Sequence, residues 1–182
     1  MSIVITGNPG VGKHTITGEL AKRLRLPILD INKIAKDGNM FEKSKDGDEV
    51  DTVKLEGIIK ENLLENNIIV GHLAPYVIKK NQLEIMIVLR RNPYDLISVY
   101  KKRNYTPKKS LENLGSEVLG IIAHDAIAKF QEKVFQINTS EKSVDEVIEK
   151  IMGIITHNTG SEIIDWLDLI VKNDDLKKFF AD

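Results

Sequence analysis

Cysteine is missing from all 182 residues of the chain. That absence excludes disulfides, thiol chemistry and any cysteine-based zinc site. No apolar stretch reaches the roughly 18–20 residues that a membrane-spanning helix requires. The N-terminus shows no charged segment followed by an apolar core, the mark of a secretory leader. It runs instead into a glycine-rich loop within its first ten residues. The expectation is a cytoplasmic protein without membrane contact. An excess of one charge is missing too: 26 Lys and Arg stand against 27 Asp and Glu, a formal net charge of −1. There is accordingly no global signature of direct nucleic-acid binding. Internal repeats and low-complexity tracts are absent. What is present is ordinary: 42% hydrophobic and 29% charged residues, enough for one domain with a proper core.

The most informative segment is Gly7-Asn8-Pro9-Gly10-Val11-Gly12-Lys13-His14-Thr15. It follows the phosphate-binding pattern G-x-x-x-x-G-K-[S/T], with His14 in place of the hydroxyl residue. In such a loop the glycines let backbone N–H groups curl around a phosphate, and the lysine bridges to the next one. The helix that follows points its positive end at the same oxygens. The context fits. Ile3-Val4-Ile5 reads as a short buried strand, and Ile16, Leu20 and Leu24 recur at helical spacing over about 13–25.

The rest of the chain alternates strand and helix. Strands are predicted at 27–30, 67–72, 84–90 and 134–137. The run Glu84-Ile85-Met86-Ile87-Val88-Leu89-Arg90 has the continuous apolar character of a strand buried on both faces. Helices are predicted over about 51–65, from Asn92-Pro93 to about Arg103, from Thr106-Pro107 as one long helix to about Glu132, and over about 144–156 behind the capping box Ser143-x-x-Glu146. Between 32 and 50 a short helix should lead into an exposed loop. Its charge run, Glu42 to Glu49, reads equally as a solvated loop or as a cover over a substrate. The tail, with Ile163, Trp166, Leu167, Ile170, Val171, Leu176, Phe179 and Phe180, reads as an extra helix packed on the domain, with a partner-binding helix as the other reading. The expected fold is α/β: three layers, with a five-stranded parallel sheet carrying helices on both faces, and the loop beyond a carboxyl strand end.

Arg90 and Arg91 close a strand near that active edge. Arg103 ends a helix, and Lys101, Lys102, Lys108 and Lys109 flank the turn that follows it. Arg103 and Arg90 are the basic residues read as functional, and most of the lysines as solubilising. His72 ends a strand parallel to the loop's own, which favours function over a structural role. His124 in the long helix reads as structural.

Together these residues resemble the small adenylate kinases of the nuclear and archaeal type, isoenzyme six or CINAP, which double as ATPases of small-subunit ribosome assembly. The resemblance is carried by Thr6-Gly7-Asn8-Pro9-Gly10-Val11-Gly12-Lys13, where the family shows T-G-T-P-G-V-G-K. Asp30-Ile31-Asn32, Gly71-His72 and Val88-Leu89-Arg90 add to it. So do Arg103-Asn104-Tyr105 followed by Lys108-Lys109, then Glu112-Asn113 and Glu117. It covers about 1–155. It implies a P-loop kinase domain over 1–156, with a monophosphate-binding segment at about 30–50 and a lid at about 102–112, and a C-terminal helical extension over 157–182. The implied activity is ATP + NMP ⇌ ADP + NDP with AMP the first acceptor, alongside an ATPase activity. The implied assembly partner is small-subunit ribosomal protein eleven. Gly10, Val11, Gly12, Lys13, His14 and Thr15 would fall at the ATP phosphates, Arg103 would be the lid arginine, and Lys142 would lie near the adenine. Lys13, Arg103, His72 and Arg90 form the implied catalytic set.

Two departures bear on the Mg²⁺ that accompanies ATP. His14 replaces the metal-ligating hydroxyl, and Val70 stands where many members carry an Asp two residues before the His. Neither supplies the oxygen that Mg²⁺ prefers. The preferred reading holds Mg²⁺ by phosphate oxygens and water, with Thr15 or Asp30 behind them. The others make His14 a phosphate hydrogen-bond donor, or the protein a slow nucleotide switch.

Overall fold

The computed structural model describes residues 2–38, 41–44, 47–63 and 65–180. In chain order, β1 (Ser2–Thr6) enters the loop that opens α1 (Lys13–Leu24), and β2 (Ile28–Asp30) runs directly into α2 (Ile31–Asp37). A hairpin of β3 (Phe41–Ser44) and β4 (Gly47–Val50) precedes α3 (Thr52–Asn62). Then come β5 (Ile68–Val70), the single turn α4 (Ala74–Val77), and β6 (Leu83–Arg90). Helices α5 (Pro93–Lys102), α6 (Pro107–Leu119) and α7 (Ile121–Phe130) lead to β7 (Val134–Asn138). The chain closes with α8 (Val144–His157), α9 (Trp166–Lys172) and α10 (Leu176–Phe179).

Five strands form one parallel sheet in the order β2-β5-β1-β6-β7. Parallel pairing brings every carboxyl strand end to one edge. Successive side chains of a strand face opposite sides, and the cores divide accordingly. Val4, Met86 and Val88 pack under α2, α3, α4 and α7, through Ile31, Leu55, Ile59, Val77, Ala126 and Phe130. Ile3, Ile5, Ile85, Ile87 and Leu89 pack under α1 and α8, through Ile16, Leu20, Val147, Ile148 and Ile151. Only Glu84 of β6 is exposed, which is why that strand reads as an unbroken apolar run. No helix among the described residues is long and apolar enough to cross a membrane.

Three elements differ from expectation. The charged stretch after α2 is a two-stranded antiparallel hairpin that registers Phe41 with Val50 and Lys43 with Asp48, where a loop was expected. Asp46-Gly47, a strong hairpin-turn pair, lies within that charge run in the sequence. The long helix after Thr106 is two helices. Gly120 takes φ 64° between them, and the Arg90 guanidinium lies 3.0 Å from where its Cβ would stand, so any other residue there is both strained and crowded. The tail forms two short helices. Ile170 and Phe179, both wholly buried, join Leu96, Tyr100, Leu114 and Val118 of α5 and α6 in a third core. Burial of each such side chain contributes about 1.5–3 kcal/mol.

Candidate active site

The loop between β1 and α1 is shaped by its neighbours. Thr6 Oγ1 donates to Gly71 O at 2.8 Å, tying the exits of β1 and β5 together. The chain then turns at Gly7, φ 133°, where a Cβ would lie 2.2 Å from the Leu89 carbonyl oxygen. At Gly12, φ 95°, a Cβ would meet nothing within 4 Å. The constraint there is conformational, and the space beside it is open.

Three loop carbonyls are drawn outward by side chains from other elements. Tyr100 Oη donates to Pro9 O at 2.8 Å, Arg91 Nη1 to Gly10 O at 3.5 Å, and Thr139 Oγ1 to Val11 O at 3.2 Å. A trans peptide points its carbonyl and the following N–H in opposite directions, and no cis bond occurs among the described residues. The N–H groups of Gly10, Val11 and Gly12 therefore face the interior of the loop. Together with the N-terminus of α1 they form a concavity of partial positive charge suited to a phosphate.

Lys13 is 5% exposed, and its Nζ donates to Asn8 O at 2.8 Å, across the loop. Burial pushes its ammonium down to about 7, and the Arg103 charge acts the same way. Glu117 and Asp30 pull in the opposite direction. Arg103 caps the C-terminus of α5, is exposed, and makes no ion pair among the described residues. After it, Asn104 turns the chain at φ 54°, and Tyr105 stacks on Tyr100 at 5.3 Å with Lys109 over its ring. His72 follows β5. Burial, then the charges of Lys13 and Lys109, push its imidazole down to about 4, so it is neutral at physiological pH. Lys13, Arg103 and His72 thus share one electrostatic neighbourhood at the carboxyl edge of the sheet.

At the opening of α1, exposed His14 places Nε2 3.0 Å from Asp30 Oδ2, while Asp30 Oδ1 accepts from Lys33 N and caps α2. Thr15 beside it is exposed. Val70 at the end of β5 is buried and registers with Ile5 on one side and Asp30 on the other. The carboxylate missing from β5 therefore stands at the same level one strand over, about 4.8 Å away at the backbone. Among the described residues no three His, Asp or Glu converge to hold a metal ion.

Arg90 and Lys142 are engaged elsewhere. The parity of β6 sends Arg90 to the face of Met86 and Val88, where Nε donates to Glu117 Oε1 at 2.8 Å and Nη1 to Gln136 Oε1 at 2.9 Å. Its guanidinium is committed to a buried ion pair, at 4% and 0% side-chain exposure. Lys142 Nζ donates to Asn138 O at 2.7 Å and to Glu162 Oε1 at 3.3 Å. The same β7–α8 connection carries Thr139, which reaches the phosphate loop.

Sequence reasoning assigned Glu117 no role of its own, yet it is the hub of the site's support. Its carboxylate accepts from Asn8 Nδ2 at 2.8 Å, Arg90 Nε, Arg91 N at 3.0 Å and Trp166 Nε1 at 3.1 Å. Ser116 Oγ donates to Asn8 Oδ1 at 3.0 Å. Asn8, Tyr100 and Trp166 were likewise missed. Thr139 alone offered a signal, since it follows a carboxyl strand end.

The family model described as "AAA domain" matches residues 3–120. A "Putative adenylate kinase" of Methanocaldococcus jannaschii is 34% identical over 174 residues, covering 92% of this chain and 94% of the relative. A protein of the same description from Thermococcus onnurineus is 30% identical over 169 residues, covering 91% of each. Among solved structures, shikimate kinase from Acinetobacter baumannii superposes with a TM-score of 0.59 at 20% identity, covering 87% of this chain and 94% of that one. At that identity the likeness shows the fold alone.

Proposed function

The chain belongs to the AAA-domain family of P-loop NTPases, and from that premise we propose that it is a nucleoside monophosphate kinase, transferring the γ-phosphoryl group of ATP to AMP or another NMP. The observation that carries this reading is the loop itself. Three inward N–H groups, the buried Lys13 and the exposed, uncommitted Arg103 meet at one sheet edge, next to a neutral His72. That set stabilises charge spread over transferring phosphoryl oxygens and offers no protein nucleophile, as phosphoryl transfer requires. The relatives described as adenylate kinases support the acceptor class.

In this mechanism an oxygen of the NMP phosphate attacks the γ-phosphorus in line. The bond from that phosphorus to the β–γ bridging oxygen breaks, and ADP departs with the bonding pair. Lys13 and the amides of Gly10, Val11 and Gly12 hold the β- and γ-phosphates. Arg103 approaches from the turn between α5 and α6, and neutral His72 hydrogen-bonds without adding charge. The described part of the monophosphate segment, from Asp30 through α2, frames the acceptor side, and the Thr139–Lys142 connection the base of ATP. Mg²⁺, when bound, neutralises developing charge on the phosphates. The donor set suits an ion that keeps its water and phosphate ligands, with Asp30 as the supporting carboxylate and Thr15 beside it.

A panel of NMP acceptors with ATP and Mg²⁺ tests this, and AMP-dependent formation of ADP is the expected result. ATP hydrolysis indifferent to every NMP, and stimulated by a basic small-subunit ribosomal protein, would replace the kinase with an assembly ATPase. In the same assay His14→Thr is expected to lower the Mg²⁺ concentration needed for half-maximal rate, because it frees Asp30 and adds a hydroxyl. An unchanged or higher Mg²⁺ requirement would put His14 outside the metal's surroundings.

The Lys13 ammonium gives a second test. Free, it titrates at about 7, and a bound polyphosphate stabilises its charged form and raises that value. Binding must then take up a proton at any pH between the two values. Calorimetry of ADP binding at about pH 8.5, in buffers of different ionisation enthalpy, should show uptake approaching one proton per site, falling toward zero below about pH 6. Uptake that is absent at alkaline pH would mean that Lys13 does not face the phosphates.

A further inference from the structure

The segment 161–180 touches the frame of the phosphate loop at three places. Along the sheet edge, Gln136 N donates to Ser161 Oγ at 3.0 Å, Glu162 N to Gln136 O at 2.9 Å, and Asn138 N to Glu162 Oε2 at 2.6 Å. In the middle, Trp166 Nε1 donates to Glu117, whose other oxygen holds Asn8. Along α5, Ile170 and Phe179 share a core with Leu96 and Tyr100, Phe179 meets the Tyr94 ring edge-on at 5.1 Å, and Tyr94 Oη donates to Asp175 Oδ2 at 2.7 Å. Two routes thus run from the tail to the loop: the hydrogen-bonded chain Trp166–Glu117–Asn8, and the core that Ile170 and Phe179 share with Tyr100, whose hydroxyl holds Pro9 O.

We propose that the docked C-terminal segment is a positioning element of the phosphate site, so that tail docking and nucleotide binding strengthen each other. Glu117 is wholly buried, and its Oε1 is shared by three donors, Arg90 Nε, Arg91 N and Trp166 Nε1, whose balance fixes where the carboxylate sits. Removing Trp166 shifts that balance and with it the other oxygen, which holds Asn8. Tyr100 passes the same bias to Pro9 O, whose outward hydrogen bond turns the Gly10 N–H inward. Coupling of this kind is reciprocal: whatever factor the tail contributes to nucleotide affinity, the nucleotide returns to tail docking. The inference rests on the loop holding a nucleotide phosphate and not on which acceptor the enzyme uses.

Trp166 is the only tryptophan of the chain, so its fluorescence reports on this junction alone. Titrating the full chain with ADP should change its emission saturably. Hydrogen exchange over 161–180 should slow on the order of fivefold at saturating ADP, the lower range of coupling between sites. Trp166→Phe keeps a ring and removes the donor. The variant should bind ADP about fivefold more weakly, with its circular dichroism unchanged. If ADP binds the unaltered chain without affecting Trp166 emission or exchange of the tail, the segment is packing only and the proposal fails. It also fails if a folded Trp166→Phe binds ADP as tightly as the unaltered chain. Phosphoryl transfer enters neither measurement, so a wrong acceptor assignment leaves the outcome readable.

Discussion

Lys13→Met is expected to lower the rate of phosphoryl transfer by about 10²–10³-fold at saturating ATP and NMP, the usual loss when one preorganised electrostatic donor is removed. Methionine keeps the length and apolar stem of the side chain, so the loss is one of charge. Two features make that charge effective. It is 5% exposed, where the effective dielectric is low. It also crosses the loop to Asn8 O, and is thus held beside the Gly10, Val11 and Gly12 amides before any ligand arrives. The loss should fall mainly on kcat, because the amides and α1 still bind the ground-state phosphates. Turnover within about twofold of the unaltered protein would mean that the reaction centre lies elsewhere.

The second large effect is one of stability. Glu117→Ala removes the partner of a guanidinium buried on all sides and leaves the Arg90 charge without compensation. Breaking a buried pair in this way costs about 3–5 kcal/mol, a large part of the roughly 5–15 kcal/mol that holds a typical domain together. Urea unfolding should show it as a lowered midpoint. Replacing both partners, as Arg90→Met with Glu117→Leu, should recover most of the loss, since a well-packed apolar pair of similar volume is often neutral relative to the ion pair. A double variant as unstable as Glu117→Ala would show that the Asn8 and Trp166 bonds carry the stability, and not the ion pair.

The phosphate loop was legible because it is local. Seven consecutive residues, with a short apolar strand before them and a 3.6-residue period after them, specify a turn that only glycines at Gly7 and Gly12 allow. β6 was legible because burial on both faces leaves it no polar alternation. The hairpin of β3 and β4 was not, because its charges look like a solvated loop. The break at Gly120 was not either, because apolar positions on both sides of it keep the helical period.

Arg90 shows the limit more sharply. Its place at a carboxyl strand end suggested contact with substrate. The parity of the strand and an acid 27 positions further along the chain turned it into a strut. Lys142 stands near the loop's flank, but its ammonium is engaged by Asn138 and by Glu162 of the tail.

The sequence alone determined the five strands of the parallel sheet, the phosphate loop with its lysine, and the two departures at His14 and Val70. Each of these is written in neighbouring residues. Tertiary structure decided everything that needs side chains to meet across the chain. It set Asp30 level with Val70 on the next strand, and it turned the loop carbonyls outward onto Tyr100, Arg91 and Thr139. It buried Lys13 far enough to push its ammonium down to about 7, and it joined the tail to the loop through Glu117. Desolvation and long-range hydrogen bonding are properties of the packed interior, and no period or motif in the chain encodes them.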